Sequence, residues 1–341
     1  MKERVLYLDI IRIVACCMIV LMHSPHPNAG NPGFILVPLS FITSSGIGLF
    51  FMVSGALLLS NSDAPLQFIK KRLSKVFFPT LFWTLFYLGL QFFTREISFT
   101  QLLQAIPSIP FSVQGHGVLW FMYVLIGLYL LTPVISAFLQ KATRRDILFY
   151  LILWAITLCF PLFKGVLDIN DSTTGILYYF SGFAGYYVMG YYMKTFDPKI
   201  SFLVSALLIT IPVVALLVYG YHGGESLLSS GRFGYLSITV AMMSIGWYGI
   251  LKHLTEYAQK LANIDLRRVS IVSDLCFGVY LIHIFVMRYF LWKIDFIVNG
   301  LGGIGQIGLT WILTLLISFI LTYFLSRIPY SELILGSKKR Q

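Results

Sequence analysis

Three residues that could carry chemistry, Asp9, Arg12 and His23, lie inside an apolar stretch near the start of the chain, LDIIRIVACCMIVLMHS at residues 8–24. An arginine near the middle of a membrane helix costs roughly 2.5 to 3.5 kcal/mol on translocon-based scales, so its presence there calls for a reason. A guanidinium group can bind phosphates through paired hydrogen bonds. An imidazole can accept a proton near neutral pH. These residue types therefore suit anion binding and proton transfer.

The spacing of these residues predicts that they share one face of a helix. Arg12 and His23 are eleven positions apart, which is about three helical turns and separates them by roughly 16 Å along the axis. Asp9 lies three positions before Arg12, near enough to pair with it. Because charged groups are unfavourable in lipid, this face is predicted to point into a helix bundle or a water-filled cavity. The alternative is a purely structural Asp9–Arg12 pair with an interfacial histidine.

The next polar groups along the chain lie in two short motifs. GLFFMVSG, at residues 48–55, contains Ser54, and its small residues also suit close packing of two membrane helices. FIKKRLSKVFFP contains Lys71, Arg72 and Lys75. This basic cluster either contacts lipid phosphates at the membrane surface or docks a phosphorylated ligand.

Composition indicates that membrane helices position these groups. The chain of 341 residues is 57% hydrophobic and 11% charged, with a mean hydropathy of +0.81. Soluble domains are roughly 45 to 50% apolar and about 25% charged, so an all-α polytopic membrane protein is predicted. We expect a single integral-membrane domain over residues 1–341 without a soluble extra domain. The long apolar start, which contains Arg12, is not typical of a cleaved signal peptide.

Ten transmembrane helices are predicted from apolar stretches of about 20 residues, the length that crosses a hydrocarbon core. They cover roughly residues 5–23, 34–60, 73–94, 117–140, 146–163, 175–193, 201–220, 233–251, 272–292 and 304–326. The stretch 252–270 alternates apolar with charged residues and is predicted to form an amphipathic helix on the cytoplasmic surface. The four cysteines have no zinc-ligand spacing, so no metal site is predicted.

The distribution of basic residues predicts that both termini are cytoplasmic. In that orientation 19 of the 25 lysines and arginines fall in inside segments and 5 in outside segments, with Arg12 within a span. This asymmetry is the positive-inside pattern. It accounts for the formal charge of +11 without a nucleic-acid partner. Arg12 is then nearer the cytoplasm and His23 nearer the outer surface.

Six motifs, taken in order, resemble those of a known family. Arg12 followed by His23 after ten intervening residues, then FFMVSG and RLSKVFFP, resemble the three opening motifs of the acyltransferase-3 integral-membrane acyltransferases. LWFM at residues 119–122, FAGYYVMGYYM in the sixth predicted span and SDLCFGVYLIH at residues 273–283 resemble the later ones. The resemblance covers essentially the whole chain. It is closest to the stand-alone members that O-acetylate surface polysaccharides, such as the enterobacterial common antigen enzyme.

The chain departs from the family pattern at three places. Lys75 stands where a second arginine is usual, which keeps the charge but loses the fork geometry of a guanidinium group. His116 is separated from LWFM by two residues, so no catalytic role is carried over to it. Cys276 and Phe277 replace a more polar pair, whereas His283 matches and is either a core residue or a functional one.

The resemblance implies a membrane O-acyltransferase of the bacterial inner membrane, with cytoplasmic acyl-CoA, most simply acetyl-CoA, as donor substrate and no permanently bound cofactor. The acceptor would be a hydroxyl of a glycan or lipid-linked sugar on the outer side. His23 would be the catalytic centre, acting as a general base or as a covalent acyl carrier, with Arg12 and Asp9 on the same face as further catalytic residues. Expected ligand contacts are Arg12, Lys71, Arg72 and Lys75 for coenzyme A, and Ser54, Trp120 and His283 for substrate.

Other functions remain open at this point. A transporter or flippase for a lipid-linked sugar would use the polar face as a permeation path, but such proteins often contain inverted repeats and none is recognisable here. A different acyl group, such as succinyl, would leave the mechanism unchanged. Four polar residues of predicted external loops are candidates for acceptor contact, namely Asp168, Asp171, His222 and Glu225.

Overall fold

The computed structural model describes residues 4–27, 33–60, 63–115, 117–163, 174–223, 233–262 and 264–336. Within these ranges the chain forms thirteen α-helices and no β-strand. The helices are α1 (Leu6–His23), α2 (Gly33–Leu58), α3 (Pro65–Phe93), α4 (Phe99–Ala105), α5 (Trp120–Leu139), α6 (Arg144–Phe163), α7 (Ala184–Phe196), α8 (Phe202–Gly223), α9 (Ile238–Leu261), α10 (Leu266–Tyr289), α11 (Asp295–Val298), α12 (Gly303–Leu325) and α13 (Ser331–Leu335). His116, Asp168, Asp171 and Glu225 lie outside the described residues, as does the side chain of His222.

Eight helices of the described residues are long and apolar enough to cross a membrane, which confirms the predicted all-α polytopic fold. They are α1, α2, α3, α5, α6, α8, α10 and α12. The predicted sixth span is the 13-residue helix α7, about 20 Å long and therefore shorter than a hydrocarbon core of about 30 Å. The predicted eighth span is α9, whose last turns carry Lys252, Glu256 and Lys260. The count of ten spans stays a prediction.

The predicted surface helix over residues 252–270 is wrong. Helix α9 continues to Leu261, and α10 begins at Leu266. Between them, Asp265 caps α10 by accepting hydrogen bonds from the backbone N–H groups of Arg267 and Arg268. The alternation of charged and apolar residues therefore marks a turn between two long helices, because an N-cap aspartate begins a new helix.

Helix α1, which carries Asp9, Arg12 and His23, packs against α2, α9, α10 and α12. The buried face of α12 presents polar residues at four-residue intervals, each at most 1% exposed: Gln306, Thr310, Thr314, Ser318 and Thr322. Small polar residues let membrane helices approach closely. Gln306 Nε2 donates to the carbonyl oxygen of Ser24 (3.1 Å) and Trp311 Nε1 to that of Cys17 (3.0 Å). These bonds fix the C-terminal half of α1.

The glycines of GLFFMVSG serve close helix packing, as the small residues of this motif suggested. A Cβ atom on Gly55 would overlap the carbonyl oxygen of Tyr187, and one on Gly190 would overlap that of Met52. The backbones of α2 and α7 therefore touch, as in other small-residue contacts between membrane helices. This contact fastens the short helix α7 to the full-length helix α2.

Replacing Gly55 with alanine is expected to lower the free energy of unfolding by about 1 to 3 kcal/mol, because overpacking forces two touching backbones apart. Thermal unfolding in detergent, followed by size-exclusion chromatography of heated samples, measures the change. Gly89→Ala is the control, since a Cβ atom there meets no atom within 4 Å. Equal stability of Gly55→Ala and Gly89→Ala would contradict the α2–α7 contact.

Candidate active site

An inner cavity of about 480 Å³ opens at the end of the bundle that holds the start of α1. Residues of α1, α2, α3, α5, α10, α12 and α13 line it, together with Ser326, Arg327 and Gly336. Three cationic side chains, Arg12, Lys75 and Arg327, contribute to its wall, and Ser54 lies in the same wall. The cavity is thus a pocket with a basic wall on the side predicted to be cytoplasmic.

Arg12 is held in the inner cavity by polar groups of α10. Its Nη1 donates to Ser273 Oγ at 3.2 Å and lies 4.0 Å from Asp274 Oδ1. The predicted pair with Asp9 is present as an ion pair of 3.9 Å. Within the part of the chain that the structure describes, no second hydrogen bond is recorded for this guanidinium group. It therefore retains N–H donors for an anionic ligand.

The closer partner of Asp9 is Arg4. The sequence analysis had included this residue only in the number of basic residues on the cytoplasmic side. Arg4 Nε and Nη2 donate to the two oxygens of Asp9 at 2.7 and 3.0 Å, and Ser273 Oγ donates to the same carboxylate at 2.6 Å. Arg4 also donates to Asp274 at 2.7 Å. The hydrogen bond with Asp9 raises the pKa of Arg4 above its ordinary value. Asp9 therefore belongs to a polar network that joins the start of α1 to α10.

The three basic residues expected to hold coenzyme A occupy different places. Lys75 lines the inner cavity. The side chain of Lys71 is 60% exposed and lies 3.7 Å from Asp63, outside the lining. Arg72 is also absent from the lining. Of these three residues, only Lys75 lines the same cavity as Arg12.

An outer cavity of about 490 Å³ contains His23 at the other end of α1. Trp120, Arg288 and Trp292 line it with His23. His23 is partly buried, and no hydrogen bond to its ring is recorded within the described residues. The cavity therefore combines an accessible imidazole with two indole rings, which are surfaces on which a sugar ring can stack.

His283 lies behind His23 and outside the lining of both cavities. The side chain is completely buried, and its ring centroid is 5.4 Å from that of His23. Its Nδ1 lies 2.6 Å from the carbonyl oxygen of Tyr280, one turn earlier in α10. The two histidines are therefore neighbours, although 260 positions separate them in the sequence.

An aromatic partition separates the inner and outer cavities, which share no lining residue. Phe121 and Tyr280, with ring centroids 5.4 Å apart, line the inner cavity. The hydroxyl of Tyr280 donates to the carbonyl oxygen of Val118, which lines the outer cavity. Trp120 lies on the outer side of this partition. The polar face of α1 therefore reaches two compartments with a wall of rings between them.

Comparison with known families identifies the protein's class. A family model described as an acyltransferase domain, that of acyltransferase-3, matches residues 5–328. The chain belongs to the acyltransferase-3 family. No curated protein and no solved structure gives a significant match. With its apolar helices, this acyltransferase-3 protein is a multi-pass membrane acyltransferase.

In this acyltransferase-3 protein, three residues of the inner cavity or of the polar network beside it were not predicted from the sequence. Arg4 and Arg327 looked like ordinary cytoplasmic charges near the two ends of the chain. Asp274 stands inside the motif SDLCFGVYLIH, whose Cys276, Phe277 and His283 were the positions compared with the family pattern. The one available signal was that Asp274 is an acidic residue within an apolar span, a type that is rare in lipid and usually paired.

Proposed function

We propose that the protein transfers an acyl group, most simply acetyl, from cytoplasmic acyl-CoA to a hydroxyl of a glycan or lipid-linked sugar on the outer face of a bacterial inner membrane. One observation carries this proposal. A single unbroken helix, α1, places Arg12 in a basic inner cavity and His23 in an aromatic outer cavity. The rise between the two residues is roughly 16 Å, a distance that suits an extended thioester arm.

The inner cavity supplies what the anionic head of coenzyme A requires. Arg12 offers a planar fork of N–H donors to phosphate oxygens, whereas Lys75 acts as a point charge. Arg327, which also lines the inner cavity, adds a third cation. Its guanidinium group is itself oriented by Tyr323, whose hydroxyl accepts from Nη2 at 2.7 Å. Asp274 limits the positive potential on one side of Arg12.

The outer cavity is where the acyl group is transferred from the thioester to the acceptor hydroxyl. His23 takes the proton of the acceptor hydroxyl as its oxygen attacks the thioester carbonyl. The carbon–sulfur bond then breaks, and the sulfur of coenzyme A leaves with that proton. In the covalent variant an unprotonated nitrogen of His23 attacks the thioester carbonyl and coenzyme A leaves as its thiolate. The acyl group then passes to the acceptor oxygen, and the proton of that hydroxyl goes to the thiolate. In both variants the thioester passes the ring pair Phe121 and Tyr280, so these side chains turn aside during the cycle.

Lys75→Ala is expected to raise the Kd for acetyl-CoA by about three- to tenfold, because a charged contact to a phosphate is lost. Titration of purified protein in detergent, by microscale thermophoresis, measures this Kd. Lys71→Ala is the matched control, since it removes a lysine four positions away that lies outside the cavity. Equal weakening by both substitutions would indicate general attraction to the basic surface and no defined phosphate contact.

The proposed function is tested with membranes from a producing strain and from one that lacks the protein. Acetyl-CoA is added together with the strain's own glycan and lipid-linked sugar fraction. Release of free thiol and a gain of one acetyl group per acceptor, by mass spectrometry, are expected only when the protein is present. Succinyl-CoA in a parallel reaction identifies the preferred acyl group. Movement of the sugar across the membrane without thiol release would favour the transporter or flippase.

The similarity of the ordered motifs to enterobacterial common antigen O-acetyltransferases supports a polymeric surface glycan as acceptor. The outer cavity of the protein, which two indole rings line, suits a sugar ring. Glycan from a strain without the protein should therefore lack an O-acetyl group that the parent strain carries. An identical acetylation pattern in the two strains would remove surface glycans from consideration.

A further inference from the structure

The ring of His283 has one nitrogen whose role the fold does not account for. Since a carbonyl oxygen can only accept, the contact with Tyr280 requires that Nδ1 of His283 carry a proton. In the neutral ring, Nε2 is then an acceptor. This Nε2 is buried and has no hydrogen-bond partner among the residues that the structure describes. A buried polar atom without a partner is costly and calls for an explanation.

The nearest chemistry-bearing neighbour of His283 is His23. Their ring centroids are 5.4 Å apart, with 36° between the ring planes. Two five-membered rings at this separation reach hydrogen-bonding distance when a nitrogen of each ring is turned toward the other. Because Nε2 of His283 is buried, it is not available to a ligand in the outer cavity. The geometry therefore favours a role through His23 over direct contact with substrate.

We propose that His283 is a positioning residue for His23, an inference that rests on the proposed function. The ring of His23 turns about its side-chain bonds, away from the orientation in the structure, and brings one N–H to Nε2 of His283, which accepts it. The other nitrogen of His23 is thereby left unprotonated and directed toward the outer cavity. The bond strengthens as His23 gains a proton from the acceptor hydroxyl, since hydrogen bonds to a charged donor are stronger than neutral ones. Tyr280, through its carbonyl oxygen, fixes the tautomer of His283 and hence that of His23.

Two amide substitutions separate this role from mere packing. In His283→Asn the amide can replace Nδ1 and keep the bond to Tyr280, but it does not extend to the position of Nε2. In His283→Gln the longer side chain places an acceptor near the position of Nε2. Both are buried polar residues of similar size, so their effects on folding are comparable. Size-exclusion chromatography in detergent confirms that each variant is folded.

The expected result is a loss of about ten- to a hundredfold in kcat for thiol release by His283→Asn, with KM for acetyl-CoA unchanged. His283→Gln should retain most of the wild-type kcat. Because a glutamine side chain does not accept a proton near neutral pH, activity of the His283→Gln variant also shows that His283 is not the proton acceptor. Wild-type kcat in His283→Asn would overturn the proposal, as would equal losses in the two variants.

A second measurement needs no acyl donor. Diethyl pyrocarbonate modifies unprotonated imidazole nitrogen, and peptide mass spectrometry gives the rate of its reaction at His23. This rate should fall in His283→Asn and stay near the wild-type value in His283→Gln. Equal rates in the wild type and His283→Asn would overturn the inference. If wild-type membranes release no thiol from any acyl-CoA, the proposed function fails, whereas the modification rates still decide whether His283 positions His23.

Discussion

Replacing His23 with alanine is expected to lower the rate of acyl transfer by about 10² to 10⁴, the contribution of a positioned general base. If His23 carries the acyl group covalently, the loss is at least as large. The reason is geometric, because His23 is the imidazole that lines the outer cavity. Thiol release and acceptor acetylation in membranes, normalised to the amount of folded protein, measure the effect.

The matched control for this substitution is His253→Ala. His253 lies on α9, outside the lining of both the inner and the outer cavity, and its Nε2 contacts the carbonyl oxygen of Ile200 at 2.7 Å. We expect this variant to keep wild-type activity per folded molecule. Full acetylation of the acceptor by His23→Ala at normal protein levels would remove His23 from the mechanism.

Replacing Arg12 with alanine is expected to raise the Kd for acetyl-CoA by about ten- to a hundredfold, which is the range for hydrogen bonds to a charged group. The fold should persist, because Asp9 keeps its closer partners Arg4 and Ser273. Arg12→Lys should give an intermediate Kd, since lysine keeps the charge and loses the fork of donors. The Kd is measured with purified protein in detergent.

Arg268→Ala controls for the loss of one arginine at the predicted cytoplasmic side. The side chain of Arg268 is 88% exposed and pairs with Asp265 at 3.0 Å, outside the inner cavity. Its removal should leave the Kd for acetyl-CoA within about twofold of the wild-type value, because exposed charges are screened by solvent and salt. An unchanged Kd for Arg12→Ala would contradict the phosphate role of Arg12.

Helical periodicity in one segment predicted the framework of the candidate site. The spacing of Arg12 and His23 could be read from the sequence because α1 is a single regular helix from Leu6 to His23. The same periodicity placed Asp9 beside Arg12, and the ion pair of 3.9 Å confirms this local contact. Contacts within one helix depend only on residue spacing, so a sequence can specify them.

Contacts between distant helices were beyond such reasoning. Asp274 meets Arg4 across 270 positions, and His283 meets His23 across 260. In a membrane helix that is apolar on every side, hydrophobic periodicity does not mark the face turned to the bundle, so the partners of Asp274 and His283 could not be derived from it. The polar face of α1 likewise reaches two cavities and not one continuous water-filled cavity, because Phe121 and Tyr280 stand between them.

Helix lengths were predicted less well where contacts between helices, and not the apolar composition of a segment, determine where a helix begins and ends. The aromatic-rich segment around α7 has the composition of a span, but its helix ends after 13 residues. The glycine contact with α2 holds it instead. In the turn between α9 and α10, the charged residues resembled an interfacial helix because helix capping by Asp265 depends on the backbone and not on amphipathic pattern.

The central claim is that the acyl group crosses the membrane, because the proposed donor and acceptor lie on opposite faces of it. The direct measurement uses sealed proteoliposomes with the glycan and lipid-linked sugar fraction trapped inside and acetyl-CoA, labelled in its acetyl group, added outside. We predict label on the luminal acceptor and free coenzyme A outside, with neither in vesicles that carry His23→Ala. Labelling that appears only after the vesicles are permeabilised would contradict transfer across the membrane.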